Sequence, residues 1–198
     1  MIKLTRLASS IAKPFLDLTI VITGVTVAFL LNSWNMKKSE RAEKEKVLSS
    51  LQIELKDINQ YFPSMAEYQK VKSKEWDSLL KENQVADFHQ YYYLQPQYNY
   101  AIIEYAMATR NSEIVSFDLH AKLLMLYKQI KMLEQAEIYM TEIALAYNSK
   151  ANINNVDAQN LFLFKRFIGF SKNRANSLGT VNQIAIEILK VIEDESKR

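Results

Sequence analysis

The chain contains no cysteine and only two histidines in 198 residues. Disulfides, thiolate metal sites and a cysteine nucleophile are therefore excluded, and metal chemistry has few ligands to draw on. Glycine and proline number three each. So few turn-formers mean few turns, which speaks against a many-stranded sandwich or barrel. The three glycines are isolated, so there is no phosphate-cradling loop, and no HExxH, EF-hand or Gly-x-Ser-x-Gly pattern occurs. The formal charge is only +3, from 25 Lys and Arg against 22 Asp and Glu, which gives no footprint for nucleic acid. Hydrophobic residues at 48% and charged residues at 24% describe a folded chain.

Residues 15–34, FLDLTIVITGVTVAFLLNSW, are the sharpest feature. Twenty residues at about 1.5 Å each span about 30 Å, the thickness of a bilayer's hydrocarbon core. Pro14 suits a first helical turn, where its missing N–H costs nothing. Asp17 would lie near the positive end of the helix dipole. Trp34, followed by Lys37 and Lys38, matches a membrane interface. No Ala-x-Ala-like site follows the run, which favours a retained span over a cleaved signal peptide. Lys and Arg flank the run almost equally. Because long C-terminal domains translocate largely regardless of charge, the C-terminal domain is expected outside the cytoplasm. Gly24 and Ala28 form a small-xxx-small pair suited to close helix packing in lipid.

Beyond the run, residues 37–46 carry charge without an apolar stripe and read as a solvated stalk. Leu48, Leu51, Leu55, Ile58 and Phe62 then recur at steps of three and four. Pro63 is expected to end this helix, and Ser64-Met65-Ala66-Glu67 matches a capping box opening the next. That second helix, over residues 65–82, is expected to bury Met65, Tyr68, Trp76, Leu79 and Leu80. A loop over 83–96 and a helix over about 97–110 follow. Ser116 then caps a helix of about 30 residues, with a seam at Leu119, Leu123, Leu126, Ile130, Leu133, Met140, Ala144 and Tyr147 that fails only at Glu137. After an Asn-rich loop at 148–155, a helix over 156–173 is expected to break before Gly179. Thr180–Gln183 offers another capping box, opening a last helix that buries Val181, Ile184, Ile188 and Val191.

Part of this pattern resembles an uncharacterised family of small bacterial single-span membrane proteins. The matching residues are Gly24, Ala28, Asn32, Trp34, Asn35, Leu48, Leu51, Glu54 and Leu55, a span with an Asn-x-Trp-Asn end followed by a charged stalk and a Leu-x-x-Leu-x-x-Glu-Leu run. A second stretch, over 98–127, is similar to that family's later helix–turn–helix, although Arg110-Asn111-Ser112 stands where the family's turn usually has Ser-Gly. The resemblance covers about a third of the chain. It implies a single-span membrane protein and no activity.

Two clusters invite functional readings. Residues 88–100 hold five tyrosines, among them Tyr91, Tyr92 and Tyr93. They suit a partner surface, but packing of the loop over the helices is favoured, since aromatics dominate core burial too. Residues 158–186 interleave Lys165, Arg166, Lys172 and Arg174 with Phe162, Phe164, Phe167 and Phe170 and contain no acid. A central helix buried nearly all round is favoured there over an interfacial membrane helix or nucleic-acid stacking. His89, and His120 in Asp118-Leu119-His120, lack converging partners for a metal or catalytic role.

The expectation is an all-α chain. A short basic segment (1–14) leads into a transmembrane helix (15–34), a charged stalk helix (35–62) and a small antiparallel bundle of four to six helices (63–198). The composition points to a membrane-anchored interaction, scaffold or accessory protein at the cell membrane, without catalytic site, cofactor, metal or nucleic acid. Its expected partners are the lipid bilayer and either further copies of itself or another membrane protein. The alternative is an extracytoplasmic ligand-sensing bundle acting through a partner.

Overall fold

A computed structural model describes residues 3–88, 98–108, 115–147 and 158–196, with side chains from Val21 to Glu195 within those ranges. The described residues form four helices and no strand: α1 (Lys3–Lys81), α2 (Tyr100–Met107), α3 (Phe117–Ala146) and α4 (Ala158–Ser196). The chain divides into two units, Met1–Lys46 and Val47–Arg198.

In the first unit, the described side chains of α1 are solvent-facing, apolar ones included, apart from the half-buried Lys44. Val21, Ile22, Val25, Val27, Phe29, Leu30, Leu31 and Trp34 are all exposed. The Thr26 hydroxyl donates to the Ile22 carbonyl at 2.8 Å, and Lys38 Nζ lies 5.7 Å from the Trp34 ring centroid. Among the residues with described side chains, no helix is long and apolar enough to cross a membrane. Of the run 15–34, those residues take in only 21–34.

In the second unit, paired residues give the helix directions. Lys122 meets Glu187 and Glu137 meets Arg174, so α3 and α4 are antiparallel. Asp77 meets Lys172 and Gln69 meets Arg174, so α4 also runs opposite to α1. Tyr100 bonds Glu134 and Tyr127 bonds Glu104, so α2 runs opposite to α3. The result is an up-down-up-down bundle with one short member.

The apolar steps predicted for α1 hold, and Leu48, Leu51, Leu55, Ile58 and Phe62 are all buried. Pro63 does not end the helix, however, and Ser64 does not open one. Proline removes the donor that would meet the carbonyl of Asn59. Pro63 and Asn59 are both exposed, so water can reach that carbonyl, while Phe62 and Ala66 hold the helix in the core on the opposite side. The helix stops where Asn83 adopts a left-handed φ of 55° and the Gln84 N–H bonds back to the Leu79 carbonyl at 2.9 Å. Over its last turns the buried positions are Ala66, Gln69, Ser73 and Trp76. Tyr68, expected inside, is exposed, and Met65, Leu79 and Leu80 are half-buried.

Ser116 caps α3 as expected, accepting from the Leu119 N–H at 3.2 Å. Gly179 does not interrupt α4. The Thr180 hydroxyl bonds back to the Asn176 carbonyl at 3.1 Å, the habit of a threonine inside a helix rather than at its start. Leu178 and Val181 are buried on either side of Gly179 and offset its lower helix propensity. Residues 162–170 are not buried all round: Leu163, Phe164, Phe167 and Ile168 face inward, while Phe162, Lys165 and Arg166 face out.

Two apolar clusters fill the bundle. The larger joins α1 residues 47–66 to α2, to α3 up to Leu133 and to α4 from Leu178. The smaller holds Trp76, Phe88, Met140, Ile143, Leu163, Phe164, Phe167 and Ile168. Here Phe88, fully buried and stacked on Phe164 and Phe167, occupies the side that the short α2 does not reach.

Candidate functional site

Between the two clusters lies a polar layer. Glu137 of α3, Arg174 of α4, and Gln69 and Ser73 of α1 are all buried there. Helical periodicity puts them there, since Glu137 continues the seam Leu126-Ile130-Leu133 and Arg174 lies between the buried Phe167 and Leu178. Arg174 Nε donates to Glu137 Oε1 at 2.8 Å, and Arg174 Nη1 reaches Gln69 Oε1 at 3.4 Å. The Tyr98 hydroxyl donates to Glu137 Oε2 at 3.2 Å. Both carboxylate oxygens are thus occupied. Ser171 is also fully buried, and its Oγ and Gln69 Nε2 have no hydrogen-bond partner among the described residues.

Burial pushes the Glu137 carboxyl above the ordinary carboxylate range, against the opposing pull of the Arg174 guanidinium and the Tyr98 hydroxyl. Burial likewise raises the Tyr98 phenol, with the Glu137 charge adding to the shift.

A second polar group sits at the α2–α3 contact. The Tyr100 hydroxyl donates to Glu134 at 2.9 Å, and that carboxylate also accepts from Lys131 Nζ at 3.1 Å. Lys131 Nζ lies 3.7 Å from the Tyr100 ring centroid, within cation–π range. These hydrogen bonds, the Tyr100 one foremost, hold Glu134 below the usual range. The Tyr100 phenol is raised, first by burial and then by its bond to Glu134. Next to it, Tyr127 donates to Glu104 at 3.0 Å, and the rings of Tyr100 and Tyr127 meet edge to face.

No family model matches the chain, and no curated protein and no solved structure matches it.

The layer's chemistry is that of a held ion pair. Glu137 has both oxygens engaged, and Arg174 is aimed at protein acceptors. Among the described residues no group of histidines and acids could hold a metal ion. Of the residues singled out in the sequence, Gly24 and Ala28 lie on an exposed stretch of α1, where a Cβ added at Gly24 would meet nothing within 4 Å. Trp34, Lys37 and Lys38 lie there too, also exposed. Tyr91, Tyr92 and Tyr93 fall outside the described residues, as does His89. The buried layer escaped sequence reading except at Glu137, whose place in an apolar seam was its only signal. Arg174 was visible only as one of four basic residues and Tyr98 only as one of the five tyrosines of residues 88–100, while Gln69 carried no signal.

Proposed function

We propose that this chain is a membrane-anchored interaction protein: a scaffold or accessory subunit held in a lipid bilayer by residues 15–34, with its helical bundle outside the cytoplasm. The observation that carries the reading is the apolar surface of α1. Val21, Ile22, Val25, Phe29, Leu30 and Leu31 are all exposed, and at 100° per residue they point to every side of the helix. A contiguous apolar surface of that kind asks for cover by lipid or protein. The back-bonded hydroxyl of Thr26 suits hydrocarbon, where each polar group needs an internal partner. Trp34 with Lys38 over its ring suits the headgroup level. The resemblance of this segment to single-span membrane proteins supports the same reading. A role in interaction through the bundle is supported by the layer's chemistry, in which the Glu137 carboxylate and the Arg174 guanidinium are held by each other.

The test is fractionation of the full chain with reporters fused at Arg198. Retention in the membrane pellet through alkaline carbonate, with activity only from the reporter that works outside the cytoplasm, is expected. Release by carbonate would overturn the anchor, and activity of the cytoplasmic reporter would overturn the orientation. Val25→Asp places a charge near mid-span at a cost of about 2.5–3.5 kcal/mol and should shift protein from pellet to supernatant.

A further inference from the structure

The outward face of α3 is apolar along most of its length. Leu124, Met125, Met132, Ile138, Tyr139 and Leu145 are between 40% and 71% exposed. They recur at heptad-related steps: Leu124, Ile138 and Leu145 form one column, and Met125, Met132 and Tyr139 another. This stripe lies opposite the seam Leu119–Met140 that packs into the bundle. Methionine and aromatic side chains spaced along a helix suit a surface that packs against another helix.

Four exposed polar residues interrupt the stripe: Lys128, Gln135 and Glu142 between its columns, and Lys131 within the first, where it is held by Glu134 and the Tyr100 ring. Lys128 and Glu142 each stand seven residues from Gln135, on opposite sides. A twofold axis through Gln135 therefore brings Lys128 of one helix to Glu142 of an antiparallel copy, twice. The same axis sets Met125 against Leu145, Met132 against Ile138, and Gln135 against itself. At Lys128 and Glu142 the face is complementary in charge to its own reverse, as an isologous interface requires, while Lys131, already paired with Glu134, faces the Tyr139 ring. A parallel pairing would set lysine against lysine and glutamate against glutamate, which disfavours it.

We infer that the outer face of α3 is a self-association surface, and that its occupant is α3 of a second copy, packed antiparallel about Gln135. This inference rests on α3 alone; α1 runs parallel to α3 within the bundle, so the pair sets the bundle portions of the two α1 helices in opposite directions and does not join two copies standing side by side in one bilayer.

The test uses the full chain in detergent, with helicity checked for each variant. Lys128→Glu and Glu142→Lys each turn two attractive contacts into two repulsive ones. Each should raise the dissociation constant about tenfold or more, since two exposed attractions are lost and two repulsions gained. The double variant restores opposite charges and should return the constant to within about threefold of the parent. Because the chain has no cysteine, introduced thiols report position directly. Gln135→Cys should cross-link between copies, and so should the double variant Met125→Cys with Leu145→Cys. Met125→Cys alone should not, since twenty residues along a helix separate the two copies of that position by about 30 Å. Cross-linking by Met125→Cys alone, a charge-swapped double variant no tighter than its parts, association indifferent to all three charge variants, or a chain that stays monomeric would each overturn the inference.

Discussion

Replacing Glu137 with leucine should destabilise the bundle far more than its one ion pair suggests. The substitution leaves Arg174, 3% exposed, without its carboxylate, and takes the acceptor from the half-buried Tyr98 hydroxyl. Removing one partner of a buried pair costs about 3–5 kcal/mol because the remaining charge stays desolvated. Arg174→Leu should cost a similar amount by stranding Glu137. Replacing both together is different. Desolvation of two charges largely cancels their attraction, so exchange for apolar side chains of similar volume is neutral or stabilising by about 1–4 kcal/mol in comparable cases. The Tyr98 hydroxyl would still lose its acceptor, at about 1–3 kcal/mol, so the double variant should fall within about 3 kcal/mol of the parent. For a unit of about 150 residues, Val47–Arg198, each kcal/mol moves the melting temperature by about 2–4 °C. The singles should therefore melt about 6–20 °C lower and the double within about 12 °C of the parent, on either side. Thermal unfolding of the full chain in detergent, followed by helical circular dichroism, completes the double-mutant cycle. Singles that lose less than about 1 kcal/mol, or a double as weak as the two losses added, would refute the reasoning.

Three further outcomes are expected. Raising the pH above about 10 should destabilise the fold, because Tyr98 and Tyr100 hold their protons more tightly folded than unfolded, so the unfolded chain binds fewer protons there. Tyr98→Phe and Tyr100→Phe should flatten that fall in a melting series over pH 9–12. Gly179→Ala should stabilise by up to about 1 kcal/mol, since a Cβ at Gly179 meets nothing within 4 Å, and calorimetry should show a higher melting temperature. Phe88→Ala should cost about 3–5 kcal/mol in chemical denaturation, because that ring is fully buried against Phe164, Phe167 and Tyr147.

The helical class, the span of α3 and the inward stripe of α1 are legible in the sequence, because apolar side chains at steps of three and four report burial directly. The breaks expected at Pro63 and Gly179 are not real, because they rest on backbone preferences of a few kcal/mol at most, and burial on both sides of each outweighs them. Tyr68, with its large ring, reads as inward from the sequence alone. The inward phase there in fact runs through Ala66, Gln69 and Ser73, small or polar residues that an apolar count passes over. The ion pair was illegible for a related reason. Glu137 and Arg174 stand 37 residues apart, and nothing local to either names the other.

Heptad-spaced helices can slide past one another by seven residues and still present apolar side chains at every contact. In this bundle such a slip would carry Arg174 from Glu137 to Ile130 or Ala144, and would leave two lone charges in dry surroundings. Each would cost several kcal/mol, more than the slipped packing could recover. The polar layer thus acts as a detent: it adds little to the depth of the native state, yet it makes every neighbouring alignment of α3 and α4 expensive.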